Sequence, residues 1–359
     1  MAIHDLMVND DISLSETLSS NFYTKSEFFE SSKEQIFSTS WQLITNSQSL
    51  KNKIYPFTFL DGYINEPLLL TKSEGKINCI SNVCTHRAHI VCEKNCDGSI
   101  LHCRYHGRTF ELNGRMKAMP GFEGVKNFPS EKDHLASIST VIWKDFIFVS
   151  LRPQIDIMSV LDDIQFRLQG YEFNKLVFNE MRSKEYIINA HWAIYCENYL
   201  EGFHIPLVHK GLTKEIITDK YKTICLENGV LQTAVCNDGD DMILLSDSTP
   251  DSDQKIYAYY YWIFPNLMLN FYAWGLSINI IEPLCKDKTR IKYQTYILPH
   301  KKQPTTNDAD VYKVEHEDQE VVQSVQRGIG SQYYKTGRYS AKHETGVHHF
   351  HRLLVKHLV

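Results

Sequence analysis

Cys84-Thr85-His86 and Cys103-Arg104-Tyr105-His106, with 16 residues between them, restrict this chain more than any other feature of its 359 residues. Whatever the fold, it has to bring these two short turns together as one ligand set. In a [2Fe–2S] centre of mixed ligation, two Cys hold one iron and two His the other. Replacing two thiolates by neutral imidazoles removes negative charge and raises the reduction potential. Structural zinc is the competing reading, but its sites usually pair Cys with Cys and His with His. Here each pair is mixed, and one residue separates the members of the first. Gly107 follows His106, where a loop must turn tightly. Cys92 and Cys96 offer a rival zinc set. With Cys79 they read more simply as ordinary buried thiols or strand residues. His89 and His102 lie near the pairs but at no pairing offset.

The chain is long enough for two domains with cores of their own. Its 43% hydrophobic and 23% charged residues are those of a water-soluble globular protein. A net charge of −5 and the lack of a basic stripe exclude general attraction to nucleic acid or an anionic membrane. The nine cysteines have no disulfide-framework spacing. No apolar leader is evident in Met1 to Ser20, nor any run of about 18 apolar residues, so a reducing cytoplasm is the expected location.

Ser26 to Phe37 predicts an amphipathic helix capped by Ser26. Between Trp41 and Val149, short apolar runs alternate with turn signals at Asp61-Gly62, Asp97-Gly98 and Asn113-Gly114, which predicts a small all-β unit of hairpins. Val141 to Trp143 and Phe146 to Val149 close it. A helix near Ile157 to Leu168 leads into a larger unit with β-prone runs at Tyr257 to Phe264 and Leu276 to Ile281. Polar stretches at Ser246 to Lys255 and Lys301 to Asp310 separate its elements.

A second set of ligands lies in that larger unit. Helical spacing puts Trp192, Tyr195, Cys196, Tyr199 and Phe203 on one face, with Glu197, Glu201 and His204 opposite. His204 and His209 would stand about 140° apart on an ideal helix. Pro206 disfavours helix at Ile205, which lets His209 fold back. From Val311 to Ile329 the apolar stripe is Val311, Val314, Val321, Val322, Val325 and Ile329, and Asp318 projects into its middle. A lone carboxylate there costs several kcal/mol unless paired or bound to metal. Glu315 is the second choice, Glu317 and Glu320 read as solvated, and an ion pair to Arg327 is the plainer use of Asp318. Two His and one carboxylate make the facial triad of non-haem Fe(II) oxygenases.

With both sets in view, the chain resembles the oxygenase α subunit of Rieske non-haem iron oxygenases over essentially its full length. Cys84, His86, Cys103 and His106 match the cluster ligands. His204, His209 and Asp318 match the iron ligands, within Glu197-Asn198-x-x-Glu201-x-x-His204-x-x-x-x-His209. The resemblance implies an α+β protein, with an all-β Rieske [2Fe–2S] domain at 38–155. Residues 1–37 and 156–359 would form a helix-grip catalytic domain, an antiparallel sheet carrying helices. It further implies that Glu201 bridges the two sites, along His106, Glu201 and His204, across the interface of a head-to-tail homotrimer. A separate NAD(P)H-dependent reductase, directly or through a ferredoxin, would supply electrons, since no Gly-x-Gly-x-x-Gly motif opens a helix after a strand.

Glu201 where many aromatic-ring dioxygenases carry Asp, Arg108 where Trp is frequent, and His191-Trp192-Ala193 for Asn-Trp-Lys set the chain apart within the family. Its tail, Val325 to Gly328 and Gly337 to Ser340, looks like members acting on choline, carnitine and betaine. Tyr257, Tyr259, Tyr260, Tyr261, Trp262, Phe264, Phe271, Tyr272 and Trp274 include faces for a cation, although aromatics fill strands and cores for plainer reasons. The expected reaction is hydroxylation or N-demethylation of a small organic substrate with O2, a quaternary ammonium compound being favoured. The alternatives are an aromatic-ring hydroxylating dioxygenase and a Rieske electron-transfer protein without oxygenase activity.

Overall fold

The computed structural model describes Ile3 and residues 6–209, 216–236, 242–303 and 311–359, with side chains in the last segment described for Val314 and from His316 onward. The chain divides into two compact units, Ser38–Gln154 and a larger one of Met1–Phe37 with Ile155–Val359.

The smaller unit is all β. Its strands are β1 (Gln42–Asn46), β2 (Ile54–Phe59), β3 (Glu66–Ser73), β4 (Lys76–Ser81), β5 (Ile100–His102), β6 (Thr109–Glu111), β7 (Met116–Ala118), β8 (Ser137–Trp143) and β9 (Phe146–Ser150). Among the described residues they form a six-stranded sheet in the order β1-β9-β8-β4-β3-β2 and a three-stranded sheet β5-β6-β7. Leu69, Ile80, Leu101, Phe110 and Leu135 make a core into which Cys84 and Cys103 are also packed. The turn signal at Asn113-Gly114 joins β6 to β7, with Gly114 at φ 88°. The tight β8–β9 turn instead uses Lys144 and Asp145, both at positive φ (48° and 70°), a conformation uncommon for Lys and more readily adopted by Asp.

In the larger unit, α1 (Ser20–Thr24), α2 (Ser26–Ser32), α3 (Met158–Arg167), α4 (Trp192–Tyr199), α5 (Ile205–Val208), α6 (Val311–Ile329) and α7 (Thr345–Leu358) accompany the strands. These are β10 (Val177–Phe178), β11 (Lys184–Ile188), β12 (Lys222–Leu226), β13 (Gly229–Val235), β14 (Ile256–Ile263), β15 (Leu267–Tyr272), β16 (Gly275–Cys285) and β17 (Lys288–Ile297). Among the described residues they form one antiparallel sheet, β10-β17-β16-β15-β14-β13-β12, with β11 also on β17. Alternation along β14 sorts its aromatics by face. Tyr259 and Tyr261 donate to Asp251 and to Asp163 of α3. Trp262 turns the other way, its ring 5.1 Å from Phe350 of α7.

Three helical expectations need correction. Ser26 is the first residue of α2, preceded by Lys25 as cap, and the helix widens into a π turn over Lys33–Phe37. The helix expected to run through Phe203 stops at Tyr199, and Phe203 is 52% exposed, stacked on His343. Ile205 is helical after all, because Pro206 sits in the first turn of α5, where its missing N–H is not needed.

Candidate metal centres

Each half of the first ligand set is carried on a closed turn. Ala88 N–H donates to the Cys84 carbonyl and Gly107 N–H to the Cys103 carbonyl, both at 3.0 Å. The closing residues are left-handed, Ala88 at φ 54° and Gly107 at φ 78°, so the glycine seen in the sequence serves this conformation. The thiols of Cys84 and Cys103 are buried in the core, whereas the imidazoles stand at the rim, His106 exposed and His86 half-buried. Nδ1 of His86 lies 3.1 Å from Nδ1 of His106. Two imidazoles sharing one tetrahedral metal at about 2.1 Å present their nitrogens about 3.4 Å apart, so the pair fits a common iron. Burial pushes the Cys84 thiol up, against the pull of the His86 backbone N–H. His86 is held below its ordinary value by desolvation and by His106 beside it.

The donor set fits two irons better than one zinc. Tetrahedral zinc would draw all four donors within about 4 Å of one another. Among the described residues, three such donors converge within 4.8 Å in one place only, and that place is His204, His209 and Asp318. Cys92 and Cys96 lie outside the set, their sulfurs 3.6 Å apart, and Cys96 is exposed rather than buried. Among the described residues the cysteines form no disulfide.

The second centre is assembled by α4, α5 and α6. Nε2 of His204 and of His209 are 3.1 Å apart, and Oδ1 of Asp318 lies 3.0 Å from the latter and 3.6 Å from the former. His209 folds back as the C-terminal cap of α5, and His204 caps its start. Asn198, in the last turn of α4, donates from Nδ2 to Asp318 Oδ1 at 2.7 Å. No ion pair joins Asp318 to Arg327 among the described residues, and the side chain of Glu315 lies outside them.

Both imidazoles are held from behind. Oε1 of Glu201 lies 2.5 Å from Nδ1 of His204, and its other oxygen accepts the backbone N–H groups of Phe203 and His204. Oε2 of Glu317 lies 2.8 Å from Nδ1 of His209. The expectation that Glu317 is solvated is therefore overturned, while Glu320 is exposed. Burial opposes protonation of His209, which is 2% exposed, but Asp318 and Glu317 outweigh it and raise its pKa. Carboxylate–histidine–metal arrangements of this kind fix the tautomer and strengthen the ligand. With the Nδ1 side engaged, each ring turns Nε2 toward Asp318.

The stripe on α6 is only partly buried. Val322 is fully buried and Ile329 nearly so, Val325 is 40% exposed, and the Val311 side chain is not described. Beside the centre, Ile205, Ile216, Ala234 and Ala258 form a small apolar cluster onto which Tyr221, Tyr257, Tyr260 and Tyr272 pack, only partly buried. Tyr259, Tyr261, Trp262, Phe264 and Phe271 are buried in the core. Tyr221 stands outside the aromatic run seen in the sequence, so nothing local marked it. It enters this group because its ring packs against Gly202, where a Cβ would come 2.7 Å from Cε1.

Both parts of the chain are similar to known proteins. Residues 177–358, just over half the chain, match the family described as ring hydroxylating alpha subunit (catalytic domain). Residues 40–129 match the Rieske [2Fe-2S] domain. Choline monooxygenase, chloroplastic, from Arabidopsis thaliana is 28% identical over 93% of this chain and 81% of its own. The carnitine monooxygenase oxygenase subunit of Escherichia coli is 27% identical over 95% and 93%. The fold is similar to that of a quaternary ammonium Rieske monooxygenase described for carnitine oxidation and inter-subunit electron transfer. That structure has a TM-score of 0.75 and 20% identity, with 99% of this chain and 100% of that one covered. A bare electron-transfer protein is thereby excluded: the chain belongs to the ring hydroxylating alpha subunit family, as a Rieske-type oxygenase that uses O2 and carries a Rieske [2Fe–2S] cluster and a mononuclear iron.

Proposed function

We propose that this chain is the terminal oxygenase for a small quaternary ammonium compound, with Cys84, His86, Cys103 and His106 as cluster ligands and His204, His209 and Asp318 as iron ligands. The observation that carries the reading is the convergence of two imidazoles and one carboxylate beside a group of tyrosines. Three protein donors leave the remaining positions of a non-haem iron open. When bound, the iron supplies O2 activation and the cluster a further electron, so that a C–H bond is hydroxylated, or an N-methyl group lost if that carbon adjoins nitrogen.

The chain's own residues prepare that chemistry. Asn198 holds Asp318 through its amide N–H, and Glu201 and Glu317 hold the two imidazoles. Tyr221, Tyr257, Tyr260 and Tyr272 offer ring faces next to Ile205, the residue after His204. Burial pushes the phenols of Tyr221 and Tyr260 up, so they stay neutral. A trimethylammonium group over such faces gains about 1–2 kcal/mol per contact once desolvated. The plant and bacterial relatives, named for choline and carnitine, support this choice.

Residues 38–155 form the electron-entry domain in this reading, and 1–37 with 156–359 the catalytic domain. A separate NAD(P)H-dependent reductase, directly or through a ferredoxin, delivers electrons in a reducing cytoplasm. They pass from His106 of one subunit through Glu201 to His204 of the next in a head-to-tail homotrimer. Exposed His106 and the contact between Glu201 and His204 support that path.

The test is single turnover of anaerobically purified, Fe(II)-loaded and reduced protein with O2 and, separately, choline, L-carnitine, γ-butyrobetaine and benzoate. An oxygenated or demethylated ammonium product is expected. Oxidation of benzoate alone would replace this substrate class with an aromatic one. For the path, Glu201→Gln should retain iron and sulfide yet transfer electrons to the iron site at least tenfold more slowly, read by single-turnover absorbance. An unchanged rate would remove Glu201 from it.

A further inference from the structure

Behind the two cluster turns lies a buried cation. Arg108 is 2% exposed, and it holds both turns. Its Nη1 donates to Thr85 Oγ1 at 2.8 Å, between Cys84 and His86. Its carbonyl accepts the Cys103 N–H, also at 2.8 Å. The guanidinium sits over the rings of Phe122 and Phe128, at 5.5 and 5.3 Å, and Phe122 meets the His86 ring edge-on at 5.4 Å. Among the described residues its ion-pair partner is Asp133, at 3.4 Å. That carboxylate is also bonded by the N–H and hydroxyl of Ser130. Nε of Arg108 is buried with no partner.

Burying a guanidinium is costly unless its charge is matched. A single shared, partly exposed carboxylate offsets the charge incompletely. What the site lacks is nearby negative charge, and a reduced cluster supplies it: reduction adds one electron and makes or breaks no bond. The positive charge therefore favours the reduced form. This is one of the levers, net charge around the cluster, by which a protein sets the potential of an iron–sulfur centre.

We infer that Arg108 is a positioning residue that ties the two ligand turns together and raises the reduction potential of the cluster, with Asp133 as the counter-charge that limits the rise. The inference rests on the assignment of Cys84, His86, Cys103 and His106 as ligands. Wild type, Arg108→Gln, Arg108→Lys and Asp133→Asn would be compared as full chains. Iron and sulfide are assayed first, and each cluster is then titrated with dithionite and mediators, followed by visible circular dichroism.

Arg108→Gln should lower the one-electron equilibrium constant for reduction about tenfold, equivalent to about 59 mV. Asp133→Asn should raise the potential, and Arg108→Lys, which keeps the charge without the fork, should stay nearer wild type. Opposite shifts in the Gln and Asn variants are the signature of charge. Equal potentials, or shifts in the same direction, would reduce Arg108 to a structural clamp and overturn the inference. If Arg108→Gln holds no cluster, the direction of the Asp133→Asn shift decides. A wild-type chain without sulfide would instead sink the ligand assignment, and its metal content tells the two failures apart.

Discussion

Asp318 is 16% exposed on a helix whose neighbouring Val322 is fully buried, and its placement is tolerable because Asn198, His204 and His209 surround it. Its neighbour Glu317 acts one step further out. Replacing Glu317 by Gln leaves an amide of the same size at His209 but removes the charge that strengthens and orients that imidazole. Fe(II) affinity should then fall about 10- to 100-fold, measured by anaerobic Fe(II) titration, with cluster absorbance unchanged. The two acids show what a sequence can and cannot convey at this scale. Asp318 was legible because a charge in an apolar stripe is an anomaly. Glu317 was not, because one residue along a helix is a 100° rotation, which put it on the polar face. What makes it a partner is His209, brought over the edge of α6 by a turn more than 100 residues earlier in the chain.

At the scale of elements, α4 depends on an unusual cap. His191 is fully buried, and its Nδ1 accepts the Ala193 N–H at 3.2 Å. Only a neutral imidazole can do this, and the ring is packed away from water among those of Phe22, Tyr23 and Phe29. Desolvation lowers its pKa to about 3, slightly opposed by Asp287. The unfolded chain takes up a proton as pH falls through about 6.5, and the folded chain declines it until about 3. Stability is therefore complete above 6.5 and is lost as pH falls toward 3, at about 1.4 kcal/mol per pH unit. Urea unfolding at pH 7 and pH 5 should show His191→Asn, which keeps a cap but cannot titrate, losing about 2 kcal/mol less than wild type. Equal losses would show that His191 is not the sensitive group. The spacing of Trp192, Tyr195, Cys196 and Tyr199 made this helix legible. Its end at Tyr199 was not, because the chain leaves the helix to let Glu201 accept the N–H groups of Phe203 and His204.

At the scale of the whole molecule, each unit carries its own donors, and the two metal groups should be separable. Cys84→Ser should lose the red-brown colour and the sulfide, while His204, His209 and Asp318 still bind one Fe(II) or Co(II) per chain. Conversely, dialysis against a chelator should strip that single ion and leave two irons and two sulfides. Loss of all three irons in either experiment would mean that the sites support one another. The all-β and α+β natures of the two units were legible because periodicity changes between them. The β8 and β9 strands were legible from their apolar runs; the positive φ of the turn between them was not, since Lys144 and Asp145 include no glycine to announce it. The burial of Cys84 and Cys103 among Leu69, Leu101 and Phe110 has a further consequence, for biogenesis. If Cys84 and Cys103 hold the cluster, sulfurs inside an apolar core are reached before that core closes, so loading is expected before or during closure of the smaller unit. In an iron-starved cell the newly made chain should then be trimmed by proteases at Ser38–Gln154 first, leaving the larger unit to outlast it.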